Sequence, residues 1–152
     1  MKYVFFFFIS FLVYSCTKPD VCNTSTTWNG QFSFYTTSSV LSDSAIGVDS
    51  IHINAVNNSV FLYTDTILKR KSVSLPLDIS TDTTRYVFGR HAFNDTLTIA
   101  HQTVPVYISK ACGYGYKQTL LSVSTTKHLI KSVAIKSTSI EKDATENIRI
   151  YY

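Results

Sequence analysis

Residues Ser72–Phe88 read S-V-S-L-P-L-D-I-S-T-D-T-T-R-Y-V-F. Val73, Leu75 and Leu77 alternate with Ser72, Ser74 and Pro76. A strand sends successive side chains to opposite faces, so this alternation gives one apolar face and one wet face. Pro76 has no amide hydrogen to offer a neighbouring strand, which assigns it to an edge or a strand end. The polar Asp78–Asp82 segment reads as a turn, and Arg85–Phe88 resumes as a second strand.

The same period extends in both directions from this stretch. Gln31–Thr36 sets Phe32 and Phe34 against Ser33 and Tyr35, and Asp49–Val56 sets Ile51 and Ile53 against His52. Ser59–Tyr63 is a short apolar run after the turn-prone Asn57-Asn58. Thr96–Ala100, Val104–Ile108, Tyr116–Ser124, Leu129–Lys136 and Asn147–Tyr152 complete the series. No stretch joins a helical period to helix caps; the nearest, Ser139–Asn147, has too few apolar residues to dock. About nine or ten short strands, spaced by roughly 8–12 residues, predict an all-β chain. The expected architecture is a single antiparallel β-sandwich, immunoglobulin-like rather than a closed barrel.

The first residues follow other rules. Seven of the twenty-one aromatic residues lie within positions 1–14, and Lys2 is the one charged side chain before Cys16. A basic start followed by about a dozen apolar residues has the layout of a secretory signal. It is shorter than the roughly 20 residues a spanning helix needs. Val13-Tyr14-Ser15-Cys16 resembles the lipobox read by bacterial lipoprotein signal peptidase, although Tyr14 is bulkier than the usual residue there. On this reading 1–15 is a lipoprotein signal peptide and Cys16 becomes a lipid-bearing first residue. Residues 16–24 form a tether and 25–152 the β-sandwich domain. The rival reading is an ordinary signal with a chance cysteine near its end.

Once Cys16 is set aside, Cys22 and Cys112 remain. Export places them in an oxidising compartment, so a disulfide is expected; two buried free thiols are the alternative. After residues 1–15 are removed, 137 of the 152 residues remain, about a quarter of them Ser or Thr. The whole chain carries a formal charge of +4, with no basic block longer than Lys69-Arg70-Lys71, which argues against a nucleic-acid partner.

Chemistry is harder to find. His52, His91, His101 and His128 show no metal-ligand spacing, so no metal and no cofactor are expected. His101 shares parity with Leu97 and Ile99, which places it at the edge of the core. There is no G-x-S-x-G nucleophile element, and no catalytic residue is assigned. Gly113-Tyr114-Gly115-Tyr116 has two readings. Tyr114 and Tyr116, with Trp28, offer flat surfaces for a sugar or peptide. Alternatively the glycines make a bulge or tight bend beside a disulfide, and Trp28 covers the sandwich edge. Five of eight aspartates precede Ser or Thr, at Ser44, Ser50, Thr66, Thr83 and Thr96. These resemble O-glycosylation acceptors of Bacteroidota proteins, and turn chemistry at strand starts explains them equally well.

A cysteine lipobox with a second cysteine close behind, SVSLPLDISTDTTRYVF (Ser72–Phe88), DTLTIAH (Asp95–His101), VPVYISKACGY (Val104–Tyr114) and the terminal ENIRIYY (Glu146–Tyr152) together resemble an uncharacterised family of small Bacteroidota lipoproteins. That resemblance implies a β-sandwich lipoprotein and supports Cys22–Cys112 pairing; it carries over no ligand or catalytic residue. The functional expectation is a non-enzymatic binding or structural component of an outer-membrane assembly, lipid-anchored and facing the periplasm, with the cell surface as the alternative face. Its partners would be the membrane, through the lipid, and an envelope protein or glycan. The alternatives are a carbohydrate-binding accessory lipoprotein and an envelope hydrolase with an unrecognised site.

Overall fold

Phe32, buried in the first strand, meets Tyr86 edge-on and Phe88 at a tilt, each with ring centroids 6.4 Å apart. Those contacts join two sheets across one core. The structure, a computed structural model, describes residues 21–36, 44–56, 61–65, 69–141 and 146–152. Cys16 and Thr66 lie outside the described residues.

Among the described residues there are eleven strands and no helix. They are β1 (Gly30–Thr36), β2 (Ser44–Ala45), β3 (Ile51–Ala55), β4 (Phe61–Asp65), β5 (Ser72–Leu75), β6 (Thr83–Arg90), β7 (Phe93–Ser109), β8 (Gly113–Thr125), β9 (Ser132–Ile135), β10 (Ser139–Ile140) and β11 (Ile148–Tyr151). One sheet has the order β2-β1-β11-β9, with β5 sharing an edge of β1; the other runs β10-β8-β7-β6-β3-β4. Phe32, Phe34, Val73, Leu75, Ile148 and Ile150 from the first sheet meet Ile51, Ile53, Tyr86, Phe88, Leu97, Ile99 and Leu120 from the second. Every apolar face read by alternation at 32/34, 51/53 and 73/75/77 is buried. Each such side chain contributes roughly 1.5–3 kcal/mol by leaving water. The chain is an all-β sandwich.

Three details differ from the sequence reading. First, Thr96–Ala100 and Val104–Ile108 are halves of one 17-residue strand, β7. A bulge at Ala100/His101 lets the strand continue past the core, and Pro105 is tolerated because β6 pairs with β7 no further than Ala100. Second, two-residue strands β2 and β10 are too short to show a period. Third, the sheets are not wholly antiparallel: β1 and β11 run parallel, with Phe32 opposite Ile148.

Asn147, fully buried, fastens that parallel start. Its Oδ1 accepts from the Gln31 amide at 3.0 Å, its own amide donates to the Gln31 carbonyl, and its Nδ2 donates to the Ser139 carbonyl at 3.0 Å. Pro76 follows β5 directly, at the strand end its missing amide predicts.

Candidate functional site

β7 and β8 continue past the neighbours that hold them elsewhere. β6 leaves β7 at Ala100, whereas pairing between β7 and β8 persists to Ser109 and Gly113. Residues 102–109 and their partners therefore run roughly 25 Å beyond the β6 edge; β10 still holds β8 at Gln118 and Thr119, and from Val104 onward the pair is a two-stranded ribbon. Lys110, Ala111 and Cys112 turn the ribbon, and Gly113 takes φ +68°, a left-handed conformation that a β-carbon disfavours. A register shift between Tyr107 and Ser109 completes the tight end, so the bend reading of the Gly113-Tyr114-Gly115-Tyr116 segment holds.

The start of the described chain lies along this ribbon. The Tyr116 amide donates to the Thr26 carbonyl at 2.9 Å. Gly115 is covered so closely that a β-carbon there would meet the Thr26 carbonyl oxygen at 2.6 Å and Ile108 Cδ1 at 2.5 Å. At the tip Cys22 and Cys112 are joined by a disulfide, with Cα atoms 4.8 Å apart. The bridge ties the first described residues to the ribbon tip; it does not link the two sheets through the core, as the bridge of an antibody domain does.

Tyr114 and Tyr116 share a face of β8 because they are two residues apart, and both are exposed. Tyr107, which the sequence reading did not single out, stands opposite Tyr114. Their exposures are 62% and 68%, and their rings lie 5.7 Å apart at 73°. A flat sugar platform needs coplanar rings, and this pair is edge-to-face. Trp28 is half-buried and packs against the core, the structural role named for it above. Tyr107 was legible only once the turn at 110–112 was recognised, since that turn sets which residue faces Tyr114.

A second polar cluster lies where the ribbon leaves the body. His101 is fully buried. Its Nε2 sits 2.9 Å from Thr84 Oγ1, and its Nδ1 faces Thr103 Oγ1 at 3.5 Å. The Asp78 amide donates to Thr84 Oγ1, and Gln118 Nε2 donates to Thr103 Oγ1 and the Leu77 carbonyl. Burial pushes the His101 imidazole below its usual range, against the opposing pull of Asp82 and Asp78. Beside it opens a depression of about 390 Å³, lined in part by Leu62, Pro76, Asp78, Thr84, Arg85 and Tyr86. The Tyr86 hydroxyl donates to the Pro76 carbonyl. The Asp78 carboxylate is occupied by the amide and hydroxyl of Ser80, so it behaves as a turn carboxylate.

A third cluster surrounds Asp95, which is 1% exposed. Oδ1 accepts from the Thr126 hydroxyl and the His128 amide, with His128 Nδ1 at 3.1 Å; Oδ2 accepts from the Leu129 and Ile130 amides. Burial pushes this carboxyl up, but the His128 amide, the Thr126 hydroxyl and the Ile130 and Leu129 amides outweigh it and hold it well below the usual range. Asp95 thus moulds the 126–130 loop. No local feature marks it, because its donors lie more than thirty residues away.

The remaining Asp-Ser/Thr positions fall mainly at strand starts. Ser44 opens β2, Ser50 precedes β3 with φ +53°, Thr83 opens β6, and Thr96 lies near the start of β7. Asp49 pairs with Arg90 at 2.6 Å, so both Asp49 and Asp95 have structural partners. Among the described residues, no three His, Cys, Asp or Glu side chains gather into a potential metal site.

No curated protein and no solved structure matches the chain. A family model described as a family of unknown function, DUF6452, matches residues 39–152, which take in every strand but β1, together with the ribbon and the Asp95 cluster. The chain belongs to that family.

Proposed function

We propose that the protein is a lipid-anchored envelope lipoprotein of the outer membrane, whose β-sandwich acts as a non-enzymatic binding or structural component of an assembly. The observation that supports this reading most is the position of the disulfide. Cys22, six residues after the lipobox cysteine, is fastened to Cys112 at the tip of the ribbon. A chain held to a bilayer by Cys16 then presents the body of the sandwich at a set orientation, away from the anchored end. Several acyl chains, at about 0.8 kcal/mol per buried methylene, would hold it stably.

Two measurements test the proposal. Mass spectrometry of the native N-terminal peptide should find acyl groups on Cys16, and an unmodified cysteine would end the anchor reading. Co-purification from detergent-solubilised membranes should bring down an envelope partner, and a monomer alone would end the assembly reading.

A second reading, a carbohydrate-binding accessory lipoprotein, is favoured by the exposure of Tyr114 and Tyr116 on one face. Glycan-array binding that disappears in Tyr114→Ala would support it. For a hydrolase reading, Thr84 and His101 offer a hydroxyl–imidazole contact at 2.9 Å, buried within the polar cluster.

A further inference from the structure

The exposed aromatic residues of the ribbon gather at the end of the molecule from which the anchor departs. Tyr107 and Tyr114 form one pair across the ribbon, and the turn beside them carries exposed Lys110. Val21, 76% exposed, adjoins Cys22 at the same disulfide. The opposite end of β7 begins at Phe93, sixteen residues from the Ser109 end of the strand. At about 3.3 Å per residue the two ends lie roughly 50 Å apart along the strand.

Chain length ties this tip to the bilayer if Cys16 bears lipid. Five residues lie between Cys16 and Cys22, and the six steps from one cysteine to the other span at most about 22 Å even when fully extended. The disulfide carries that limit directly to Cys112 at the turn. Tyrosine is enriched where headgroups meet acyl chains, because its ring is apolar and its hydroxyl is polar. Lysine adds attraction to anionic headgroups. An already tethered tip has lost most of the entropy that binding would otherwise cost, so a contact too weak to recruit a free protein can still form.

We propose that the ribbon tip, with Tyr107, Tyr114 and Lys110, is a membrane-docking surface that seats in the headgroup layer of the bilayer holding the anchor. This rests on the lipid-anchor reading above and adds an orientation: the ribbon stands on the membrane and holds the sandwich away from it. The occupant of the tip is thus a lipid surface. A glycan or protein at the same tyrosines is an outcome that would overturn the proposal.

The test uses the full-length protein, expressed with its signal segment, purified from membranes and reconstituted in vesicles of phosphatidylethanolamine and phosphatidylglycerol at about 3:1, an anionic mixture suited to Lys110. The sequence has a single tryptophan, Trp28, so Trp28→Phe clears the background for one reporter at a time. Tyr114→Trp and, as a second reporter should the first fail to fold, Tyr107→Trp report on the tip; Phe93→Trp reports on the far end. Lipids brominated high on the acyl chain should quench the tip reporters at least about twofold and leave position 93 unchanged. The mass of the N-terminal peptide is read on the same preparations. Acylated Cys16 with tip and far-end reporters equally quenched, or equally unquenched, overturns the docking inference and leaves the anchor standing. Quenching at the tip that free glycan or a partner protein abolishes assigns the tyrosines to that ligand and likewise overturns it. An unacylated Cys16 overturns the anchor reading, and the inference with it.

Discussion

Asp95→Asn is the most informative single change, because it retains the shape of the side chain and removes its charge. In the native protein Oδ2 accepts two backbone amides and Oδ1 accepts an amide and a hydroxyl. Asparagine has one oxygen. Whichever way it turns, its NH₂ must face at least one donor, and that donor then stays buried without a partner. Hydrogen bonds to a charged group contribute about 1.5–3 kcal/mol each and are not additive when they share one carboxylate. Breaking a buried charged network of this kind costs roughly 3–5 kcal/mol. Against a typical total of about 5–15 kcal/mol, that is a large share. With a urea m-value near 2 kcal/mol per molar, the midpoint should fall by roughly 1.5–2.5 M. The pH dependence has a definite sign. The Asp95 carboxyl is held below its unfolded value, so its stabilisation is complete above about pH 4 and disappears as pH falls further. The gap between wild type and Asp95→Asn should therefore be widest at neutral pH and narrow below about pH 4. Urea titrations at pH 7 and pH 3 measure both effects. A neutral-pH loss under about 1 kcal/mol, or a gap that widens in acid, would refute the assignment of a charged, amide-bound Asp95.

Other perturbations probe the ribbon and the second polar cluster. The double change Cys22→Ser/Cys112→Ser should cost about 1–3 kcal/mol in a urea titration. That is less than the roughly 4–5 kcal/mol the chain-entropy model gives for a loop this long, because residues 21–27 can detach from β8 without unfolding the sandwich. Gly115→Ala should release that same segment, since its β-carbon would collide with the Thr26 backbone. Amide exchange should quicken at Tyr116, with a stability loss of about 1–3 kcal/mol. His101 is buried with its pKa lowered, so the unfolded chain binds the proton first and stability falls as pH drops below about 6.5. His101→Gln should flatten the slope between pH 7.5 and pH 5.5, read as the change in urea midpoint between those two conditions.

What the sequence disclosed depended on how far apart the interacting residues lie. Alternation at Phe32/Phe34, Ile51/Ile53 and Val73/Leu75/Leu77 is a property of each strand's own backbone, so the buried faces could be read segment by segment. The same locality hid other elements. Two-residue β2 and β10 contain too little chain to show a period. The long β7 looked like two strands because its apolar face is interrupted where it passes the core and the bulge lets it continue.

By itself the sequence determined an all-β sandwich, the apolar face of most strands, the proline at the end of β5 and an odd count of three cysteines, which leaves one outside any bridge within the chain. These follow from side-chain period, amide availability and counting, none of which needs a partner strand. The tertiary structure decided what stands beside what. It set β1 parallel to β11 and the Thr26 segment along β8. It brought four donor groups to Asp95, and it set Tyr107 edge-to-face with Tyr114 at a tip bound by disulfide to Cys22. Each depends on register between segments tens of residues apart, and register is selected by the closing of the whole core rather than by any one stretch of chain.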